Sequence, residues 1–306
     1  MSRLTLILWL TCLSFLCTGQ DGFRFEHLTV NEGLAHSDAV AVIQDRNGYI
    51  WIGTNNGIDR YDGYELKNYK LPNNNNNGLY NNRILSLHLG KEGRIWATAD
   101  EQGVFYFDKS FKNLAELADK QSDKSLLQQI SARAVIQHPK GDVFIATRNH
   151  GLLQVHFKEK VIGITQYPFL KAGTAVPLSK LEVDASGRVW IGTLGLGLWQ
   201  LSSSRLSRFG AWTHENVRAL FLQQDNTLWI GSDNSVARML PAANLEHLEG
   251  SFASINCIYE DSYERIWIGT NFGLHLVQNI HKNPVGNLSY RDRVFSVDAE
   301  NPWAIN

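Results

Sequence analysis

Histidine, cysteine, aspartate and arginine are the side chains with which this chain could do chemistry, and their spacing limits the options. Ten histidines are present, yet His88, His138 and His156 stand singly, and no pair has metal-ligand spacing on one element. A lone strand histidine is most simply a hydrogen-bonded structural residue. No nucleophile elbow, phosphate loop, HExxH or CxxC occurs. Asp45, Asp184 and Asp261 form a column that looks calcium-like. Each copy supplies only one carboxylate, however, where a hard cation needs several converging oxygens. These aspartates are expected to hydrogen-bond the backbone of their own turns. No catalytic residue, metal or cofactor is expected.

What remains is polar and recurrent. Asn55, Asn56, Asp100, Glu101, Arg148, Asn149, His150, Asp233, Asn234, Asn271 and Phe272 follow one repeated motif. Arg83, Arg133, Ser179, Arg218 and Asn256 precede it. Amides, guanidinium groups and carboxylates with few aliphatics suit a polar, hydroxyl-rich or anionic ligand, if the fold gathers them. Arg133 and Arg218 lead this set, because each stands eleven residues before an anchor aromatic. On neighbouring inner strands their two guanidinium groups would fork onto a uronate or sulfate. With 29 basic and 30 acidic side chains, the chain has no electrostatic footprint for nucleic acid.

The elements that position these residues are read from nine tryptophans set against two methionines. Asp45 to Thr54 is DRNGYIWIGT, Asp184 to Thr193 is DASGRVWIGT, and Asp261 to Thr270 is DSYERIWIGT. Weaker copies are KEGRIWATA, PKGDVFIAT and QDNTLWIGS. The anchors Trp51, Trp96, Phe144, Trp190, Trp229 and Trp267, with a possible seventh at Trp303, are separated by 45, 48, 46, 39, 38 and 36 residues. That period belongs to propeller blades or paired-helix repeats. A short apolar stretch precedes each anchor. Gly48, Gly93, Gly141, Gly187 or Asn226 stands three residues before it, as a tight hairpin turn requires. Glu264 breaks this pattern, so the sixth turn is expected to be of another type. Two further short strands follow in each copy, and apolar residues never take a 3.6 period. The sequence therefore predicts an all-β propeller of four-stranded antiparallel blades, six full repeats plus an incomplete seventh. Asn113 to Ile130 reads as an inserted outer helix or a long loop. Phe23 to Thr29 reads as a strand placed to complete the last blade.

One anchor per repeat is expected to pack between blades, with Gly53, Thr98, Ala146, Gly192, Gly231 and Gly269 leaving room for close approach. Trp199 and Trp212 fall outside that column and are the better ligand candidates among the tryptophans. Residues 1–19 read as a signal peptide: a basic start at Arg3, an apolar run from Leu4 to Leu16, and small residues before Gln20. Residues 20–306 then form the propeller domain, exported to the periplasm with one thiol, Cys257.

The segment FRFEHLTVNEGLAHSDAVAVIQDRNGYIWIGTNNGIDRYDGYELKNY, Phe23 to Tyr69, resembles the start of the two-component regulator propeller. That propeller is the periplasmic sensor part of hybrid two-component histidine kinases, chiefly of Bacteroidetes-type bacteria. The resemblance is carried by Gly33-Leu34, by Gln44-Asp45 to Thr54, and by Gly57 to Gly63. It implies a seven-bladed propeller, with a second propeller, an immunoglobulin-like module, a membrane helix and kinase and receiver domains elsewhere in the protein. Kinase activity would lie in those parts, so this chain reads as a non-enzymatic module and as part of a longer, inner-membrane-anchored sensor. Its expected partners are an oligosaccharide or other small polar ligand, the output domains, and a possible second copy. The alternative is a propeller enzyme resembling streptogramin lyases. Such an enzyme needs a general base with an acid or metal at the funnel, where His150 offers an imidazole.

Overall fold

Alternating apolar residues bounded by glycine fold six times into the same unit, a four-stranded antiparallel sheet whose strands pair in chain order. The computed structural model describes residues 23, 26–72, 82–242, 244–250, 252–282 and 288–296. Blade 1 comprises β1 (Ala39–Gln44), β2 (Ile50–Thr54), β3 (Gly57–Tyr61) and β4 (Leu66–Tyr69), and blade 2 comprises β5 (Ile84–Leu89), β6 (Ile95–Ala99), β7 (Gly103–Asp108) and β8 (Ser110–Asn113). Blade 3 holds β9 (Ala132–Gln137), β10 (Val143–Thr147), β11 (Leu152–Phe157) and β12 (Val161–Tyr167). A two-stranded hairpin, β13 (Leu170–Lys171) with β14 (Thr174–Ala175), precedes blade 4, which holds β15 (Leu178–Val183), β16 (Val189–Thr193), β17 (Leu198–Ser202) and β18 (Arg205–Arg208). Blade 5 is β19 (Ala219–Leu222), β20 (Leu228–Gly231), β21 (Val236–Met239) and β22 (Leu245–His247). Blade 6 is β23 (Ile255–Glu260), β24 (Ile266–Thr270), β25 (Gly273–Lys282) and β26 (Leu288–Phe295). All lie in one compact unit, Leu28–Ser296. The other unit, Met1–His27 with Val297–Asn306, contributes only Phe23, Glu26 and His27 to the described residues. Residues 1–19, the Asn73–Asn77 run and Trp303 lie outside the described residues. Among the described residues no helix is long and apolar enough to cross a membrane.

The first strands β1, β5, β9, β15, β19 and β23 stand side by side in chain order, and the anchor column packs between them. Trp51, Trp96, Phe144, Trp190 and Trp229 are all buried, each at the same place on a second strand. Each meets aliphatics of the next blade: Trp51 with Ile84, Trp96 with Val135, Phe144 with Leu181, Trp190 with Leu220, and Trp229 with Ile258. The small residue two places on lets the sheets approach. A Cβ at Gly53 would lie 2.6 Å from Ile84 Cγ2, and one at Gly231 would lie 2.5 Å from Ile255 Cγ2. Side-chain volume therefore sets the spacing of the blades.

This packing stops at both ends. Val42 pairs with Ile52 as Val135 pairs with Ile145, Leu181 with Ile191, Leu220 with Ile230 and Ile258 with Ile268. The last four aliphatics are 4%, 8%, 8% and 6% exposed, whereas Val42 is 60% exposed. At the other end Tyr259, opposite Trp267, is 58% exposed, while its counterpart Ile136 in blade 3 is 5% exposed. Blade 1 thus bares the face that elsewhere meets a preceding blade, and blade 6 bares the face that elsewhere meets a following one. Six blades are seen among the described residues; a seventh is not.

Three expectations change. Glu264 takes φ 60° and its N–H donates to Asp261 O at 3.0 Å, just as Gly187 N donates to Asp184 O at 2.8 Å. The sixth hairpin is therefore the same turn as its relatives, with glutamate forced into the left-handed region. The unlike turn is that of blade 2, where Glu92 and Gly93 both have positive φ and Arg94 N donates to Lys91 O. Glu26–Thr29 forms no strand, because Thr29 caps a short 3-10 turn at Val30–Glu32: its Oγ1 accepts from Asn31 N and Glu32 Oε2 accepts from its N–H. Asn113 to Ile130 is neither a long loop nor helical throughout. Its helix α1 (Gln121–Gln129) and the preceding turn place Leu114, Ala115, Leu127 and Ile130 in the core of blades 2 and 3.

Trp190→Ala should cost about 3–5 kcal/mol in a denaturant melt; a change within about 0.5 kcal/mol, usual for a surface site, would show the column is not core. Glu264→Gly should add about 1 kcal/mol by removing the left-handed penalty, whereas Gly187→Ala should destabilise, its Cβ lying 3.0 Å from His138 Nε2.

Candidate functional site

The aspartate column serves the fold. Asp45 Oδ1 accepts from Asn47 N at 2.8 Å and from Tyr49 N at 3.1 Å, and its Oδ2 accepts from Trp51 Nε1 at 2.8 Å. Asp184 and Asp261 repeat this, taking Trp190 Nε1 at 3.1 Å and Trp267 Nε1 at 2.7 Å, and each also takes an arginine Nε, from Arg188 or Arg265. In blade 5 Gln223 Oε1 takes over, accepting from Trp229 Nε1 at 2.7 Å. Burial opposes the charge on Asp184, but bonds from Ser186 and Arg188 outweigh it and hold the carboxyl below its usual range. Asp261 is lowered in the same way by Trp267 and Arg265. A cleft of about 440 Å³ lies on this hairpin side, lined by Gln223, Arg238, Glu260, Tyr263 and Arg265 among others. It is not where the recurrent polar loops lie.

Those loops are on the opposite edge of the sheets, and a threonine fastens four of them. Thr54, Thr147, Thr193 and Thr270 end their second strands, and each Oγ1 donates to the carbonyl of the glycine that opens or just precedes the third: Gly57, Gly151, Gly197 or Gly273. The same hydroxyls accept a loop N–H, from Asn56, His150, Leu196 or Phe272. Thr and Gly of the motif are thus a loop clamp, a role that spacing alone did not reveal. The first loop residue is tied to the start of the inner strand by Asn55 N→Asp38 O, Asp100 N→Arg83 O, Arg148 N→Ser131 O and Leu194 N→Pro177 O.

So held, most of the polar residues pair within their own blade. Asn55 Nδ2 donates to Asp38 Oδ2 at 2.7 Å, and Asn256 Nδ2 donates to Asn271 Oδ1 at 2.8 Å. Arg83 lies 3.7 Å from Asp100. Asp233 accepts from Asn216 Nδ2 at 2.7 Å and from Arg218 Nε, which hold its carboxyl below the usual range. Asn56 donates to Ala35 O, and His150 Nδ1 lies 2.8 Å from Asn149 Oδ1. Asp38 and Asn216 escaped the sequence reading; their signal is a polar residue 17 positions before the loop residue. Arg133 and Arg218 are not on neighbouring strands: β15 of blade 4 stands between β9 and β19, because their repeats are not consecutive. Arg218 is also committed to Asp233, so the two guanidinium groups do not fork onto one ligand group. Trp212 is fully buried beneath the face, and Trp199 is half-buried with its Nε1 donating to Leu196 O at 3.0 Å. Both are packing residues.

Three groups on the inner strands are shifted by burial. Burial pushes Glu182 up to about 8, against the pull of Lys180, whose own ammonium burial depresses. Burial also pushes His88 down to about 4. His138 lies outside this set. Its Nδ1 accepts from Lys140 N, which leaves Nε2 to donate to Gly187 O of the next blade at 2.9 Å. His156 is similarly structural, bonded to Asp142 and Thr165.

Sheets of four antiparallel strands, joined by an aromatic column and presenting clamped loops on one edge, define a β-propeller. The two-component regulator propeller model matches residues 33–56 and 249–272, so the chain carries repeats of that family. A histidine kinase P4 of Formosa agariphila is 35% identical over 48 residues, which is 16% of this chain and 4% of that protein. The extracellular domain of a protein assigned to the hybrid two-component systems of B. thetaiotaomicron superposes with TM-score 0.62 at 17% identity, over 83% of this chain and 38% of that one. Virginiamycin B lyase from Staphylococcus aureus superposes with TM-score 0.63 at 11% identity, over 85% of each chain. The two structures share the fold with this chain. This chain spans well under two thirds of the kinase and of the extracellular domain.

Because the folded pKa of Asp184 lies below its unfolded value of about 3.9, its contribution is complete above that value and is lost as pH falls through the folded one. Asp184→Asn should therefore cost about 1–3 kcal/mol at pH 7 and give a shallower fall in stability below pH 4. Urea melts across that range check it, and an unchanged acid limb would remove the carboxylate from this role.

Proposed function

We propose that this chain is the ligand-sensing propeller module of an extracytoplasmic two-component receptor, responding to a glycan-derived ligand. The observation that carries the reading is the repeat itself, matched to the two-component regulator propeller at 33–56 and 249–272. The polar loops add to it, since amides and charges on five of the six blades suit hydroxyl-rich ligands, whose many weak contacts must act together. In this reading residues 1–19 direct export to the periplasm and 20–306 are sensor domain. Inner-membrane anchoring, a further propeller and the output domains would belong to other parts of the receptor, and the module itself would bind without catalysing. A second copy of the chain is a possible partner.

A seventh blade belongs between blades 6 and 1 in this account. The bared Val40, Val42, Tyr259 and exposed Cys257 support it, because Ala219 and Ala134, the counterparts of Cys257, are buried between blades. A maleimide that labels Cys257 in the 306-residue chain should fail to do so in a longer form that supplies the blade. Equal labelling of both would discard the seventh blade.

The functional test is a thermal-shift and calorimetric screen of the chain against acidic and neutral oligosaccharides. A true ligand at a hundredfold excess over its Kd should add about 2.7 kcal/mol of stability. Turnover of the supplied compounds, with bond cleavage, would instead favour a lyase, and no response to any saccharide would remove the glycan reading.

A further inference from the structure

On the loop face, blades 5 and 6 show which side chains meet. The first polar loop residue touches the one 15 positions before it: Asp233 bonds Arg218, and Asn271 bonds Asn256. Blade 3 has the same framework there. Arg148 N donates to Ser131 O at 2.9 Å, Thr147 pairs with Ala132, and Thr147 Oγ1 clamps the loop at 2.7 Å. The two positions that meet in blades 5 and 6 are occupied in blade 3 by Arg148 and Arg133. Neither guanidinium makes an ion pair or side-chain hydrogen bond among the described residues, whereas Arg83 and Arg218 each have an aspartate. Arg148 is exposed and Arg133 is half-buried.

Two cations at positions whose counterparts meet in blades 5 and 6, with no counter-charge, repel each other, and one group can relieve both. Guanidinium offers a planar fork of donors matched to the oxygens of a carboxylate, sulfate or phosphate, and binding such a group replaces repulsion with charge-assisted bonds. We propose that Arg133 and Arg148 form a two-arginine oxyanion subsite on the loop face of blade 3. It takes the acidic substituent of a ligand, whether carboxylate or sulfate. As part of a receptor it rests on the sensor reading above; as chemistry it stands on the blade comparison.

The repeat supplies its own control. Arg148→Asp would place in blade 3 the carboxylate that blade 5 carries at Asp233, closing an ion pair with Arg133 without loss of fold. Calorimetry at constant ionic strength, with glucuronate, glucose 6-sulfate and glucose as probes, should show saturable binding of the first two by the unaltered chain and none of glucose. Affinity should fall about ten- to a hundredfold in Arg148→Asp and in Arg133→Gln, while the melting temperature of Arg148→Asp holds or rises. A preference between the two acidic sugars tells carboxylate from sulfate. Acidic sugars that bind both variants as tightly as the original, or that do not bind the original at all, overturn the subsite. A neutral oligosaccharide bound equally by original and Arg148→Asp, with no acidic-sugar binding, would end the subsite and leave the sensor reading standing. Arg148-dependent binding of glucuronate without any oligosaccharide ligand would do the reverse.

Discussion

The indole N–H of each anchor tryptophan meets an acceptor, and this pairing organises the chain. Each anchor tryptophan buries a large apolar ring between two blades, so its one polar atom has to be satisfied inside that interface. The acceptor six residues earlier, at the base of the hairpin, ties turn, strand and interface together: one carboxylate of Asp45 holds two turn N–H groups and the tryptophan of β2. The exceptions keep the rule. In blade 2 that position is Gly90, and Trp96 Nε1 reaches instead to Gln137 Oε1 of blade 3 at 3.3 Å. A Cβ at Gly90 would come within 2.5 Å of that same oxygen, so the missing side chain makes room for the substitute. In blade 3 the anchor is Phe144, which has no N–H. Its partner position, His138, stays buried edge-on to Phe144 and bonds Gly187 O of blade 4.

The same logic accounts for the ends. An interface of this type needs an aromatic face from one blade and an aliphatic face from the next. Five such interfaces are filled, and the unfilled halves are an aliphatic face at Val42 and an aromatic one at Tyr259 and Trp267. The chain ahead of β1 covers part of the first. Leu34 is buried, and Ala35 N donates to Asp59 Oδ2 at 3.0 Å, on a carboxylate with no exposure of its own. The Gly33-Leu34 pair ahead of the first repeat therefore shields the outer half of a face whose inner half stays bare.

The fold was legible because it depends on periodic features. Anchor spacing, the small residue behind it and the hairpin glycine all read directly from the repeats. Glu264 misled because sequence pattern weighs the residue and not the frame: Asp261 and Arg265 fix the turn on both sides, and the backbone then imposes positive φ on whatever stands there. The site was legible as a list but not as a geometry. Arg133 and Arg218 share a repeat position, yet equivalence by position places them a whole blade apart. Whether an arginine is free or paired depends on a residue 15 or 17 positions away, which no local window reveals.

That dependence separates what holds the fold from what can vary on its face. The clamp uses a threonine hydroxyl, a main-chain carbonyl and a main-chain N–H, so it does not care which side chains the loop carries. Blade 4 shows the limit, with Leu194 at the loop position and Ser179 donating to Val217 O of the next blade. Blades 1, 2, 5 and 6 close their loop positions with an internal polar partner, which stabilises the blade and uses up its donors and acceptors. A blade that leaves its pair open sacrifices that local gain and keeps chemical capacity for a ligand. Blades 3 and 4 both leave the pair open, but blade 4 places leucine and serine there and blade 3 two arginines, so in the proposed subsite it is blade 3 that keeps charge for a ligand.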